Sequence, residues 1–456
     1  MLRRLNGIRS IGSTFAKRHY AARTTVLPNG MTVATEQIPN TLTATVGVWI
    51  DAGSRADVTE STSGTAHFLE HLAFKGTAKR TQTDLELEVE NVGSHLNAYT
   101  SRENTVYYAK TLREDIDRSV DILSDILTRS KLEKSAIERE RPVIIRESEE
   151  VDKMYDEVVF DRLHEVVYKG QPLGRTILGP IECIKTITQA DLKNYISTNY
   201  KGDRMVLVGA GNVDHDELVR LAIKYFGHVP PSEKPLPLGT PRTGVPVFHG
   251  GDVHTEFSDM PTLHGAISFP GESWSSEDYF TALTAQAVVG NWDRANGAGG
   301  ATPLARSVAN NLLANSYMSF STSYSDSGLW GVYFVQEKGQ DLRALAKSFA
   351  SEWRRVARGE FRDGEIEAAK SQLRGALLLA LDGTTAVAED IGRQLVTTGT
   401  RLGAEELRAR IEGVDAEKVA EWAQKHLLND KIAIATVGAK TGSDITSNEL
   451  VSMMKN

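Results

Sequence analysis

Cysteine is almost absent from this 456-residue chain: Cys183 stands alone. A single thiol excludes an internal disulfide framework and fits a reducing compartment. Long apolar runs are missing too. Residues 375–381, Gly-Ala-Leu-Leu-Leu-Ala-Leu, form one of the longest, far short of the roughly 20 residues that a membrane-spanning helix requires. Histidine is scarce, 11 in all, so a cluster of histidines carries weight. Net positive charge is lacking as well: the formal charge is −8, which argues against a nucleic-acid binder. What remains, 40% hydrophobic and 25% charged residues, is the composition of an ordinary globular protein.

The first twenty residues lack acidic side chains, which the rest of the chain has in plenty. They carry Arg3, Arg4, Arg9, Lys17 and Arg18, while Leu2, Leu5, Ile8, Ile11 and Phe15 recur at roughly helical spacing. A basic, amphipathic leader of this kind predicts a mitochondrial transit peptide over residues 1–20. The expected location is the mitochondrial matrix, or the matrix side of the inner membrane. The run Arg18-His19-Tyr20-Ala21 fits a cut after His19, with Tyr20 trimmed later. Taking these five basic residues from the 52 leaves 47 against 60 acidic ones, a mature net charge of −13. Such a protein attracts basic peptides.

Chemistry is concentrated in the run His67-Phe68-Leu69-Glu70-His71. On a helix, His67 and His71 project from one face, and Glu70 lies one turn after His67. Two imidazoles so placed predict ligands of one Zn²⁺, and Glu70 predicts the base that takes a proton from a water in the metal's open position. The order of letters is that of the inverted zinc-peptidase motif. By pattern alone, the same letters also suit a surface helix carrying two histidines. A third ligand decides between the two, and with one cysteine in the chain a carboxylate is the class to look for.

Carboxylates crowd residues 138–150. Glu140 and Glu147 are two helical turns apart and share a face, and Val143, Ile144 and Ile145 between them predict a partly buried helix. A solvent face of ion pairs accounts for the same letters. Ser135 with Glu138 predicts a capping box at the start of this helix. Pro142 then falls inside it, where proline removes a hydrogen bond and kinks the axis. Glu157 and Asp161 also share a helical face and can hold a guanidinium through charge-assisted bonds; an exposed acidic face fits that pattern as well.

The chain repeats itself. A helix followed by a buried strand is predicted at 187–209 and again at 414–435. Strand-then-helix pairs recur at 105–127 and 329–356, and strands before Gly-containing turns at 46–50 and 265–269. Two related domains explain this better than one fold, and the proline-rich stretch 229–241 reads as a linker. The expected division is a leader over 1–20, a catalytic zinc-binding domain over 21–228, a linker over 229–245 and a non-catalytic repeat over 246–456. Helices and strands mix without strict alternation, which predicts an α+β fold: each domain packs a largely antiparallel sheet with helices. Where the first half has its motif, the second has Gln286, Asn291, Trp292, Asp293 and Arg294, without a histidine pair. One active site per chain follows.

The segment 64–77, Gly-Thr-Ala-His-Phe-Leu-Glu-His-Leu-Ala-Phe-Lys-Gly-Thr, resembles the active-site helix of the pitrilysin/insulinase peptidases. The stretches 91–104, 149–157, 173–179, 290–294 and 319–324 resemble the branch of that family that processes mitochondrial precursors. The resemblance implies one Zn²⁺ per chain, held by His67, His71 and Glu147, with Glu70 as catalytic base and Glu140 orienting the site. It implies that Glu157 and Asp161 bind an arginine two residues before the cut in basic presequence peptides. It further implies that Phe74 shapes the pocket just past the cut. The backbone near Asn97 and Ala98, on an edge strand over 94–99, would pair with extended substrate by strand addition. A heterodimer with a related alpha subunit, which supplies a Gly-rich loop, is implied too. The family also contains core subunits of the cytochrome bc1 complex, so association with that complex, in a structural or bifunctional role, is the alternative. The presence of His67, Glu70, His71 and Glu147 favours the enzyme. An Arg and a Tyr that bacterial relatives carry in the second domain are not found intact around 311–317.

Overall fold

The computed structural model describes residues 22–57, 59–297, 302–439 and 444–455, so the leader over 1–20 lies outside the described residues. Two six-stranded sheets organise the chain. The first is built from β1 (Arg23–Val26), β2 (Thr32–Gln37), β3 (Thr43–Ile50), β4 (His95–Thr100), β5 (Thr105–Leu112) and β6 (Met205–Gly211), in the order β1-β2-β6-β3-β5-β4. The second is built from β7 (Gly251–Glu256), β8 (Thr262–Pro270), β9 (Asn291–Asp293), β10 (Ser316–Ser323), β11 (Gly328–Glu337) and β12 (Ala433–Gly438), in the order β7-β12-β8-β11-β10-β9. Each sheet has one parallel pair, β2 with β6 and β7 with β12; the other pairings are antiparallel. Five strands of each sheet follow the same order, so the repeat seen in the sequence is a repeat of topology. Between Phe226 and Gly251 there is neither helix nor strand, in keeping with the prolines of that stretch.

The central strands are apolar almost throughout. In β6, Met205 to Gly211 are all buried, and seven of the eight residues of β3 are. Such runs form where both faces of a sheet are covered. One face of the first sheet is covered by helices of its own half, including Ile116–Thr128 and His215–Phe226. Its other face is covered by a helix from the second half, Thr384–Thr398, whose Val387, Ala388, Ile391 and Leu395 pack on Trp49, Val106, Val206 and Val208. Gly392 makes this approach feasible: a Cβ there would lie 2.1 Å from the Trp49 ring.

The converse holds for the second sheet. The helix Tyr155–Val167 of the first half lays Val159, Leu163 and Val167 against Ala266, Leu329, Ala433 and Val437. The two halves therefore exchange equivalent helices. Each fully buried aliphatic side chain in such a layer contributes about 1.5–3 kcal/mol, so neither sheet is covered without the other half. A buried ion cluster adds to the tie. Arg55 donates to Glu103 at 2.8 Å and bidentately to Asp326 at 2.8 and 2.6 Å, and Ser325 donates to Glu103 from its backbone and hydroxyl. Glu103 and Asp326 lie on the turns joining β4 to β5 and β10 to β11, so the equivalent turns of the two halves meet.

Candidate active site

The motif forms the helix Thr65–Ala73. It starts at Gly64, whose φ of 94° is left-handed and whose missing Cβ would lie 2.3 Å from the Leu178 carbonyl oxygen, so glycine is required there. The first turn has no capping side chain of its own. Asp57 takes that part: its carboxylate accepts from the N–H of Gly64 at 2.7 Å and of Ala66 at 3.2 Å. Burial pushes the Asp57 carboxyl up to about 7, against the pull of those N–H groups and of Arg175.

The second helix of the site, Lys134–Val151, runs unbroken through Pro142, whose ring sits on the exposed side. Its start differs from the expected capping box. The cap position is Glu133, without a side-chain cap, and Ser135 already lies in the first turn; Glu138 pairs instead with Arg141 at 2.9 Å. With three cationic Lys and Arg side chains along 134–141 and Arg141 stacked 5.6 Å over Phe68, Glu138 finds a better partner further along the helix.

The two helices cross so that His67, His71 and Glu147 each offer a ligand atom within 4.8 Å of the others. His71 Nε2 lies 2.9 Å and His67 Nε2 3.6 Å from Glu147. His67 is buried, and its Nδ1 has no partner among the described residues. The imidazole of His67, and then that of His71, hold the Glu147 carboxyl well below the usual carboxylate range. Burial works against charge on His71, but Glu147 and Glu140 together outweigh it and raise its pKa.

Glu140, buried, meets His71 Nδ1 at 3.0 Å and receives Lys75 Nζ at 3.1 Å. A carboxylate on Nδ1 fixes the ring and would leave Nε2 free to coordinate a metal held together with Glu147. Glu70 accepts a hydrogen bond from Thr100 Oγ1 at 2.6 Å. Phe74 is half-buried, with its ring 6.4 Å from that of Tyr107.

The residues expected to meet substrate lie on an edge strand and a helix, as expected. β4 is an edge strand, and on it the Asn97 side chain accepts from the N–H of Ala98 at 2.8 Å. Glu157 and Asp161 sit on the exchanged helix Tyr155–Val167. Glu157 is exposed as a residue, but partial desolvation of its carboxyl, followed by the charges of Asp156 and Asp161, raises its pKa. Asp161 is occupied: Arg102 Nη2 donates to it at 2.6 Å. Pattern reading missed Asp57, Thr100, Lys75 and Arg102. Each acts across a turn or a sheet edge, where no spacing rule reaches; the fixed φ of Gly64 was the only local signal.

Comparison with known proteins identifies the family. The family described as Insulinase (Peptidase family M16) matches residues 32–181, and the Peptidase M16 inactive domain matches residues 186–373. The chain belongs to the M16 peptidases and is a mitochondrial, metal-dependent peptidase. It is 59% identical to the mitochondrial-processing peptidase subunit beta of Saccharomyces cerevisiae, over 94% of both chains. It is 54% identical to that of Neurospora crassa, covering 92% of this chain and 88% of the relative, and 46% identical to that of Homo sapiens, covering 91% and 84%. In fold it matches a chain of Complex III2 from Candida albicans, Inz-5 bound, with a TM-score of 0.83 at 23% identity, over 95% of this chain and all of the other.

Proposed function

We propose that this chain is the zinc-bearing subunit of a presequence-processing peptidase of the mitochondrial matrix, working as a heterodimer with a related alpha subunit. The observation that carries the reading is the convergence of His67, His71 and Glu147, with Glu70 on the same helix. The donor set fits zinc: two imidazoles, one of them oriented through Nδ1 by Glu140, and one carboxylate, which leaves a position open. Zinc bound there supplies a Lewis acid and a water acidified toward neutrality.

The chain's own residues do the rest. Glu70, held by Thr100, is the base that takes the water's proton and returns it to the leaving amine. β4 offers its free edge to an extended peptide through the backbone near Asn97 and Ala98, which reads little sequence and suits varied substrates. Glu157 and Asp161 give the reading its one strong preference, an arginine two residues before the cut, and Phe74 borders the pocket beyond the cut. The acidic mature chain draws basic presequences toward the cleft.

Metal analysis of the purified chain should find about one Zn²⁺, lost when His67, His71 and Glu147 are all changed to Ala. Retained stoichiometric metal in that variant would sink the ligand assignment. A second role, as a core subunit of a bc1-type complex, is favoured by the likeness in fold to the Complex III2 chain. Its test is whether haem and inner-membrane proteins co-purify with the chain.

A further inference from the structure

The acid pair meant for a substrate arginine already holds an arginine of the chain itself. Arg102 stands on the turn between β4 and β5, and its Nη2 donates to Asp161 Oδ1 at 2.6 Å. The bond is a thin one for a guanidinium with five donors. No other side-chain hydrogen bond of Arg102 is found among the described residues, and its Nε is buried without a partner. Its side chain is 11% exposed, whereas Asp161 is 29% exposed and Glu157 lies open to solvent with no side-chain hydrogen bond among the described residues. The backbone beneath Arg102 is firmly held. Its carbonyl accepts from the Arg55 N–H at 2.8 Å, Ser101 N–H bonds the Asn104 carbonyl at 2.8 Å, and Glu103 is locked by Arg55 and Ser325. The guanidinium is therefore free to leave Asp161 while the turn stays in place.

Asn97 shows the same arrangement at the neighbouring strand edge. Its side chain fills the N–H of Ala98, which an added strand would otherwise approach. In the resting cleft, Asp161 is held by Arg102 and the N–H of Ala98 by Asn97, both side chains of the chain itself.

We infer that Arg102 is the resident occupant of the arginine subsite and tempers its affinity: an arginine that takes both carboxylates must displace one guanidinium from Asp161. This rests on the reading that Glu157 and Asp161 bind the substrate arginine. An arginine meets the condition, because its planar fork bonds Asp161 and Glu157 together and so makes more bonds than Arg102 gives up. A lysine is a point charge on a single stem. It pairs with the open Glu157 and leaves Arg102 where it is. The apparent affinity for arginine is lowered by the fraction of time Asp161 is taken, whereas a lysine bound at Glu157 bears no such cost.

The test uses the heterodimeric enzyme and three peptides that differ only in having Arg, Lys or Ala two residues before the cut. With Arg102→Met, KM for the Arg peptide should fall by about three- to tenfold. KM for the Lys peptide should change less, so that the Arg/Lys ratio of kcat/KM widens, and KM for the Ala peptide should stay put. Arg102→Lys keeps the charge without the fork and should lie between wild type and Arg102→Met; it carries the test if the methionine variant does not fold. A rise in KM for the Arg peptide alone would show that Arg102 positions Asp161 instead, and an equal shift for all three peptides would show a purely structural bond. Either result overturns the proposal. Glu157→Gln with Asp161→Asn separates it from the reading beneath it. If arginine preference survives that pair of changes, the subsite itself is elsewhere, whatever Arg102 does.

Discussion

The two halves of the chain present the same pair of crossing helices, and they fill the crossing differently. In the first half, the helix after β3 and the helix two places after β5 bring together His67, His71, Glu140 and Glu147. In the second, the corresponding helices Tyr279–Val289 and Glu365–Leu379 bring together Phe280, Leu283, Leu373 and Leu377, backed by Leu407 and Ile411. The sheet edge differs too. β4 is open, whereas its counterpart β10 is paired with β9 over Ser316, Tyr317 and Met318, and β9 is made from the residues just after the helix. The topology supplies a place where two helices cross beside an edge strand. Polar letters make it a cluster that could hold a metal ion; apolar letters and one short strand make it a packed wall. The description of the second half's family as an inactive domain agrees with that contrast.

The contrast is sharpened most by removing one charge from the first crossing. Glu70→Gln should retain metal and fold, because Gln is nearly isosteric, yet lose turnover by roughly 10²–10⁴-fold, the usual weight of general-base assistance. Single-turnover rates with a presequence peptide, alongside metal content, decide it; near-normal turnover moves the base elsewhere. The matching change in the second crossing should do the opposite. Leu373→Ala removes a buried aliphatic chain and should lower stability by about 2–5 kcal/mol, read as a shift in denaturant midpoint, while turnover per folded molecule holds. A large loss of turnover in folded Leu373→Ala would mean that the second crossing takes part in chemistry after all.

How much of this was legible beforehand follows from the range of each interaction. The motif helix, the shared face of Glu140 and Glu147, the edge strand and the internal repeat depend on spacing within one element, and spacing is visible in a sequence. The boundary of the Lys134–Val151 helix was misread because Ser135 and Glu138 have the letters of a capping box, but tertiary pairing of Arg141 with Glu138 and Phe68 decides otherwise. The exchanged helices were not legible. Glu157 and Asp161 lie on an amphipathic helix whose apolar face announces burial but not against which sheet. Asp57 beneath the motif helix, Thr100 on Glu70 and Lys75 on Glu140 are contacts across turns or between strands and helices, and no period encodes them.

Thr100 offers a smaller, more selective perturbation of the first crossing. Its hydroxyl donates to a carboxylate, and hydrogen bonds to charged groups contribute about 1.5–3 kcal/mol. Thr100→Val keeps the β-branched shape on β4 and should lower kcat by roughly ten- to a hundredfold, with little change in KM. Since the second crossing packs Phe280, Leu283, Leu373 and Leu377 where the first has its histidines and acids, no substitution on β10 should split kcat from KM in this way. Equal kcat for Thr100→Val and wild type would show that Glu70 needs no second anchor.

The smallest effect separates the two exchanged helices by pH. His164, fully buried on the helix Tyr155–Val167, meets the Tyr324 hydroxyl of the second half at 2.5 Å and the Phe160 carbonyl at 2.6 Å. Burial, and then the charge of Arg102, holds its pKa well below the ordinary imidazole value. A histidine with a depressed folded pKa stabilises the fold fully above its unfolded value, about 6.5, and that contribution is lost as pH falls toward the folded value. The loss is about 1.4 kcal/mol for each pH unit below 6.5. The reciprocal helix, Thr384–Thr398, carries no histidine and meets the first sheet through Glu389, which accepts from the indole of Trp49 at 3.1 Å and the hydroxyl of Tyr99 at 2.6 Å. Amide exchange followed from pH 7.5 to 5.5, corrected for intrinsic rates, should therefore show protection weakening first in Tyr155–Val167. Thr384–Thr398 should hold, and His164→Gln should flatten the difference. Because the first of these helices carries Glu157 and Asp161, the same acid step should loosen arginine selection before it touches the metal-bearing crossing. Parallel loss of protection in both helices would mean that the interface opens as one unit and that His164 is not what titrates it.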